Sequence, residues 1–301
     1  MTPLRRFDDL LARPVATRSL GLLRALVGAL TVWHLWPIAA AAVRGDTYRD
    51  RFHHPYLPAL PDLPTAGYAA VLVAGVVAAA AMALGCASRW ANGAAFAVVA
   101  YHLVLSTTHL HNNRAYLVTV LGILSLAPTG GSWSLDAWWR RRRGRPAIAT
   151  TTGWTLWLLR FASAVTYGAS GTSKLLDPDW FGGQVTWGRV VLDEAAVRGS
   201  LLPSAVSDML LDRSFHTIAA KVIVATELAI AAGLWSPRTR RVAVAAAVVF
   251  HLSIEFSADV QLFSWLGLAV LVAWADPALP GVDRWSRRWP RRAADPTGAA
   301  A

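Results

Sequence analysis

Eight apolar stretches, separated by polar or arginine-bearing punctuation, constrain this chain more than any other feature. They run over residues 19–43, 68–85, 90–106, 116–127, 154–171, 218–235, 242–256 and 260–274. A helix crossing a hydrocarbon core of about 30 Å needs about 20 such residues, and only helices or closed barrels satisfy their backbone groups there. No strand-like alternation of apolar and polar residues is present. The pattern therefore predicts an all-α polytopic membrane protein, a bundle of about eight transmembrane helices. The fourth, seventh and eighth stretches are short for a full crossing, so the count is seven or eight.

The charges support this reading. Only 16% of the 301 residues are charged, against about 25% in ordinary soluble domains. The net charge of +11 suggests a polyanionic partner until the basic residues are placed along the chain. With the N-terminus inside, one set of alternate segments holds eighteen of them and the other eight, the bias that orients membrane proteins. This excludes nucleic acid as a partner in favour of the lipid bilayer. It also predicts a multi-pass protein of the cell (plasma) membrane with cytoplasmic N- and C-termini.

The expected divisions are a cytoplasmic segment 1–18, a transmembrane domain 19–274 with outer loops 44–67 and 172–217, and a basic cytoplasmic tail 275–301. The arginine run 140–143 reads as a topology anchor against anionic lipid. The first apolar run is too long for a cleaved signal peptide, and further stretches follow it. A lone cysteine, Cys86, excludes an internal disulfide and reads as a packing residue. No internal repeat of the inverted-transporter kind is found.

Ionisable groups at membrane depth are costly, so each needs a partner or a task. Arg160 and Glu227 fall about 9–12 Å from the same boundary on consecutive stretches, which predicts a structural ion pair. Polar residues recur at helical spacing: Ser163, Tyr167, Ser170 and Lys174 on the fifth stretch, His102, Ser106 and His109 on and after the third, and Asn112, Tyr116 and Thr119 around the fourth. His251, Glu255 and Asp259 do so on the seventh. Such stripes face either one another or an outward-opening cavity. Histidine and carboxylate side chains suit metals, but their spacing matches no compact metal motif, so no metal is expected. No nucleophile elbow of the GxSxG type occurs.

Of the 29 basic residues only two, Lys174 and Lys221, are lysines. Lys174 lies in Gly171-Thr172-Ser173-Lys174-Leu175-Leu176-Asp177-Pro178-Asp179-Trp180. A second segment is His111-Asn112-Asn113-Arg114-Ala115-Tyr116-Leu117. Together they resemble the membrane core shared by vitamin K-dependent gamma-carboxylase and its bacterial relatives, the horizontally transferred transmembrane (HTTM) domain proteins. Phe250-His251 followed by Gln261-Leu262-Phe263 resembles a third family segment, and Glu227 followed by Trp235-Ser236-Pro237-Arg238 has the same character.

The resemblance implies an outward-facing cavity for a reduced quinone, with Lys174 in the position of the family's base. Lysine suits that task, since its pKa falls on desolvation whereas arginine stays charged. Arg114 stands where the carboxylase has an assisting histidine, and the carboxylase's large extra-membrane domain has no counterpart, so glutamate carboxylation is not carried over. The resulting expectation is an enzyme-like core with Lys174, Arg114 and Tyr167 at the reacting centre. Asn112, Asn113, Tyr116, His109, His111, His251 and Glu255 are expected to line the ligand site. Lys174 and Arg114 are expected to form a joint cationic site. The alternatives are a non-catalytic membrane partner that binds or matures a secreted peptide, and a small transporter.

Overall fold

A computed structural model describes residues 8, 11–46, 54–60, 63–258 and 260–275. The protein is mostly helical. The long elements are α1 (Thr17–Val43), α2 (Thr65–Leu84), α3 (Ser88–Leu105) and α4 (Asn112–Ser125), followed by the short α5 (Leu135–Arg142) and then α6 (Trp154–Leu176). Four short helices come next, α7 (Pro178–Phe181), α8 (Gln184–Val191), α9 (Glu194–Arg198) and α10 (Ser204–Leu211). The chain continues with α11 (Arg213–Gly233), α12 (Arg240–Ala258) and α13 (Leu262–Val270), the last extended by a tight turn, Leu271–Trp274. Every apolar stretch of the sequence lies on a helix or this extension. Among the described residues, α1, α2 and α11 are long and apolar enough to cross a membrane.

Two apolar clusters organise the packing. The first joins α1 to α4 with part of α13, through Leu20, Leu23, Leu35, Leu72, Met82, Leu117, Leu121 and Leu266. The second joins α6, α11 and α12 to the 271–274 turn, through Tyr167, Ile230, Leu234, Phe250 and Trp274. Helix α13 touches α1, α4, α6 and α12 and so seams the two halves. Trp274, 2% exposed, anchors the seam: its indole Nε1 donates to Ser163 Oγ at 2.8 Å.

Three features depart from the sequence reading. Strand β1 (Pro14–Ala16) pairs antiparallel with β2 (Thr150–Thr152), with Val15 opposite Thr151; three-residue strands carry no periodic signal. The 172–217 region is a helical cap rather than an irregular loop. Asp177 starts α7 by accepting from the Asp179 and Trp180 amides (2.9 and 3.3 Å), with Pro178 at the first helical position, where its missing N–H costs nothing. The cap is tied to its surroundings by Trp187 Nε1 donating to the Leu211 carbonyl (3.0 Å) and Thr217 Oγ1 donating to the Gly182 carbonyl (3.0 Å). Cys86, expected to pack, is exposed at the α2–α3 turn. Asp259 and nearly all of the basic tail lie outside the described residues.

The α2–α3 turn is held by a charge that the sequence reading counted but gave no role. Arg24 is fully buried, and its guanidinium donates to the carbonyls of Met82, Ala83 and Trp133. The first two lie in the last turn of α2, whose carbonyls lack partners within the helix and carry its negative dipole end. Gly85 then reverses the chain at φ +67°, and a Cβ there would meet Ser134 at 2.3 Å. Asp136 caps the start of α3, accepting from the amides of Ala87 (2.9 Å) and Ser88 (2.8 Å) and from Ser88 Oγ (2.7 Å). Replacing Arg24 with Ala removes the donor to the Ala83 and Trp133 carbonyls, while the Met82 carbonyl keeps the Gly85 amide. It is expected to destabilise the protein by about 2–4 kcal/mol, read as a lower unfolding midpoint in detergent, whereas Arg18→Ala at the exposed start of α1 leaves the midpoint within error.

Candidate functional site

The C-terminal turns of α6 bring Lys174 against α11. Its Nζ donates to both oxygens of Glu227, at 2.7 and 2.8 Å, and to Ser170 Oγ at 2.8 Å. Ser170 Oγ in turn donates to Glu227 Oε1 at 2.9 Å, closing a three-membered polar cycle. The Glu227 side chain is 2% exposed and that of Lys174 17%, so the carboxylate is buried and its lysine partner is partly exposed. Trp180, swung back by the Asp177 helix start, lies with its ring centroid 4.9 Å from Nζ. The Gly-x-x-Lys spacing has a local cause. Positions 171 and 174 share one face of α6, and a Cβ at Gly171 would meet Leu228 at 3.0 Å and Glu227 Cβ at 3.2 Å. The bare backbone admits α11 closely enough for the next turn to reach Glu227.

This geometry corrects the predicted pairing. Glu227 is held by Lys174, not by Arg160. Arg160 Nε donates instead to the Ala273 carbonyl at 2.7 Å, with its guanidinium near the Trp157 and Trp274 rings. A backbone carbonyl at the end of the 271–274 turn is thus one of Arg160's partners.

Deeper on α6, Tyr167 and His251 share a hydrogen bond of 2.6 Å between the phenol and Nε2, and both are buried, at 5% and 1% exposure. The imidazole occupies space vacated by Gly267, where a Cβ would sit 2.2 Å from the ring. His251 Nδ1 is buried with no partner. Glu255, one turn on, accepts from Trp265 Nε1 at 3.1 Å, and its second oxygen is buried and unpartnered.

Arg114 belongs to a separate centre, at the start of α4. It donates to the His109 carbonyl at 3.0 Å. His109 Nδ1 donates to the His102 carbonyl at 2.9 Å, and the two imidazoles stack with centroids 4.2 Å apart. His102 Nδ1 and the Tyr68 phenol share a 2.7 Å hydrogen bond. The Nε2 atoms of His34 and His102 are buried without partners, both within the electrostatic reach of Arg114. His111 caps α4, its Nδ1 accepting from the Asn113 amide at 3.2 Å. Asn112 is exposed and Asn113 half-buried, and neither side chain makes a hydrogen bond among the described residues.

Among the described residues Lys174 and Arg114 share no hydrogen-bond partner, and each stands in its own set of polar contacts. An aromatic run connects them: Tyr116 to Phe263 (6.3 Å), Phe263 to His251 (5.7 Å) and His251 to Tyr167 (5.7 Å) between ring centroids. The run therefore links the 111–117 segment, through Phe263 and His251, to Tyr167, one turn of α6 before the Gly171–Trp180 segment. The sequence reading missed Tyr68 and Trp180, whose roles depend on partners far away in the chain. No group of three metal-ligating side chains occurs among the described residues.

A family model described as the HTTM domain matches residues 12–278. The chain belongs to the HTTM domain family. No curated protein and no solved structure matches it. In this HTTM domain the matched region contains both centres and the aromatic run between them.

Removing the phenol oxygen in Tyr167→Phe leaves both ring nitrogens of His251 without a partner inside the HTTM bundle. The expected cost is about 1–3 kcal/mol, measured as a lower unfolding midpoint, while Ser253→Ala on the exposed face of α12 leaves the midpoint unchanged.

Proposed function

We propose that this HTTM-domain protein is a multi-pass cell-membrane protein with eight crossings and both ends cytoplasmic, whose Lys174 end opens outward and takes a lipid-soluble ligand bearing carbonyl or hydroxyl oxygens. A quinol is the type of ligand the family resemblance implies. The observation that carries this reading is the asymmetry of the ion pair: a buried carboxylate held by a partly exposed lysine side chain beside Trp180. A pair built only to hold two helices has no need of an accessible side.

The hydrogen bonds suggest how the pair handles protons. Ser170 accepts from Lys174 and donates to Glu227, so one proton shift along this path converts ammonium and carboxylate into neutral amine and neutral acid. The amine then takes a proton from a ligand hydroxyl, and the resulting ligand anion is held against the new ammonium. Tyr167 and His251 lie beneath as orienting groups, and the Arg114 centre contributes a second positive field.

The second reading, a membrane partner for a secreted peptide, is favoured by the cap. Leu192 and Leu201 are almost wholly exposed there, as an apolar docking surface would be.

The test uses Trp180 as reporter. Titrating a menaquinone analogue into the purified protein should quench tryptophan fluorescence saturably. The quench should be at least tenfold weaker in affinity for Lys174→Ala and smaller in amplitude for Trp180→Phe. Equal quenching in wild type and Lys174→Ala would overturn the ligand reading. Peptide binding that survives Lys174→Ala with Arg114→Ala would establish the second.

A further inference from the structure

At the opposite end of α3, α4 and α6 from Lys174 and Arg114, a cavity of about 800 Å³ opens where α3 begins, α4 ends and α5 runs past. Its lining includes four arginines, Arg89 from the first turn of α3 and Arg140, Arg143 and Arg145 from α5 and the residues after it. None of these four guanidiniums makes a side-chain hydrogen bond or ion pair among the described residues. Arg140 Nε is buried with no acceptor, a situation that native structures normally resolve with a partner. The one acidic residue in the lining, Asp136, spends both oxygens on the start of α3. The cavity therefore presents positive charge and unused donors from two segments of the chain.

One side of the lining is apolar and open. Leu126 is 73% exposed and Trp139 50%, and Ile148 completes that side. Guanidiniums suit a phosphate by geometry as well as charge, while an exposed leucine and tryptophan beside them suit hydrocarbon at a membrane interface. A soluble phosphate ester would leave these side chains in water.

We propose that this cavity binds the phosphate of an anionic phospholipid, with its acyl chains lying over Leu126 and Trp139. The arginine run then has two functions. Arg140 and Arg143 face the cavity, whereas Arg141 and Arg142 are not in its lining, and Arg142 stacks over Trp138 at 4.7 Å. The run was expected only to anchor topology, and a general anchor would draw on all four residues alike.

That division supplies the experiment. The full chain is purified in detergent and its thermal midpoint followed as phosphatidylglycerol, phosphatidylcholine or inorganic phosphate is added. Phosphatidylglycerol should raise the midpoint of wild type by about 5 °C at saturation, and phosphatidylcholine should not. The rise should persist in Arg141→Gln/Arg142→Gln and disappear in Arg140→Gln/Arg143→Gln, although both variants lose the same charge. Equal loss in the two variants would overturn the proposal in favour of diffuse electrostatics. A comparable rise with inorganic phosphate alone would overturn the assignment to lipid. Should the Arg140/Arg143 variant fail to fold, native mass spectrometry of the wild type decides: retained phosphatidylglycerol in preference to phosphatidylcholine supports the site, and no such preference contradicts it.

Discussion

The ion pair between Lys174 and Glu227 is the interaction on which the rest of the site depends. A carboxylate as buried as Glu227 is untenable alone, because the cost of desolvating it is recovered only by a close, well-bonded counter-charge. That requirement fixes the register of α6 against α11, and Gly171 makes the approach possible by removing the side chain that would hold the helices apart. The same register places Tyr167 against His251 and carries Trp180 back over the ammonium. Motif residues separated by more than fifty positions thus become one continuous object.

A complementary rule governs the arginines. Arg24, Arg114, Arg160 and Arg240 all donate to carbonyls at or beside helix ends: Met82 and Ala83, His109, Ala273 and Leu234. Such carbonyls lack partners within their own helix and sit at the negative end of its dipole. An arginine there satisfies two deficits at once, its own buried charge and the exposed backbone. Lys174, a compact point charge, stands where a buried carboxylate must be met. The scarcity of lysine and the abundance of arginine thus correspond to different physical tasks.

Much of this was legible in the sequence. Hydropathy located all eight apolar elements, because burial in an apolar surround leaves an unmistakable compositional trace. The stripe Ser163, Tyr167, Ser170 and Lys174 marked the face of α6 that bonds to its neighbours, and the Gly-x-x-Lys and Asn-Asn-x-x-Tyr segments marked the two centres. The partners were not legible. Pairing Arg160 with Glu227 rested on counting residues from the ends of each stretch, which treats neighbouring helices as flush. The actual register comes from the close approach at Gly171, which a count from the ends does not register. A search for acids also overlooks backbone carbonyls such as that of Ala273, to which Arg160 donates. The short helices of the cap were hidden for a related reason, since their boundaries come from single residues such as Asp177 and Pro178 rather than from periodicity.

The account stands most directly on the coupling between Lys174 and Glu227. A double-mutant cycle with Lys174→Met and Glu227→Gln, read as unfolding free energy in detergent, isolates that term. Each single change should destabilise by about 3–5 kcal/mol, because it strands a buried charge or leaves its cation unmatched. The double variant should recover most of that loss, giving a coupling of at least about 2 kcal/mol. Simple additivity, or equal coupling of Glu227 to Arg160 in a parallel cycle, would contradict the account.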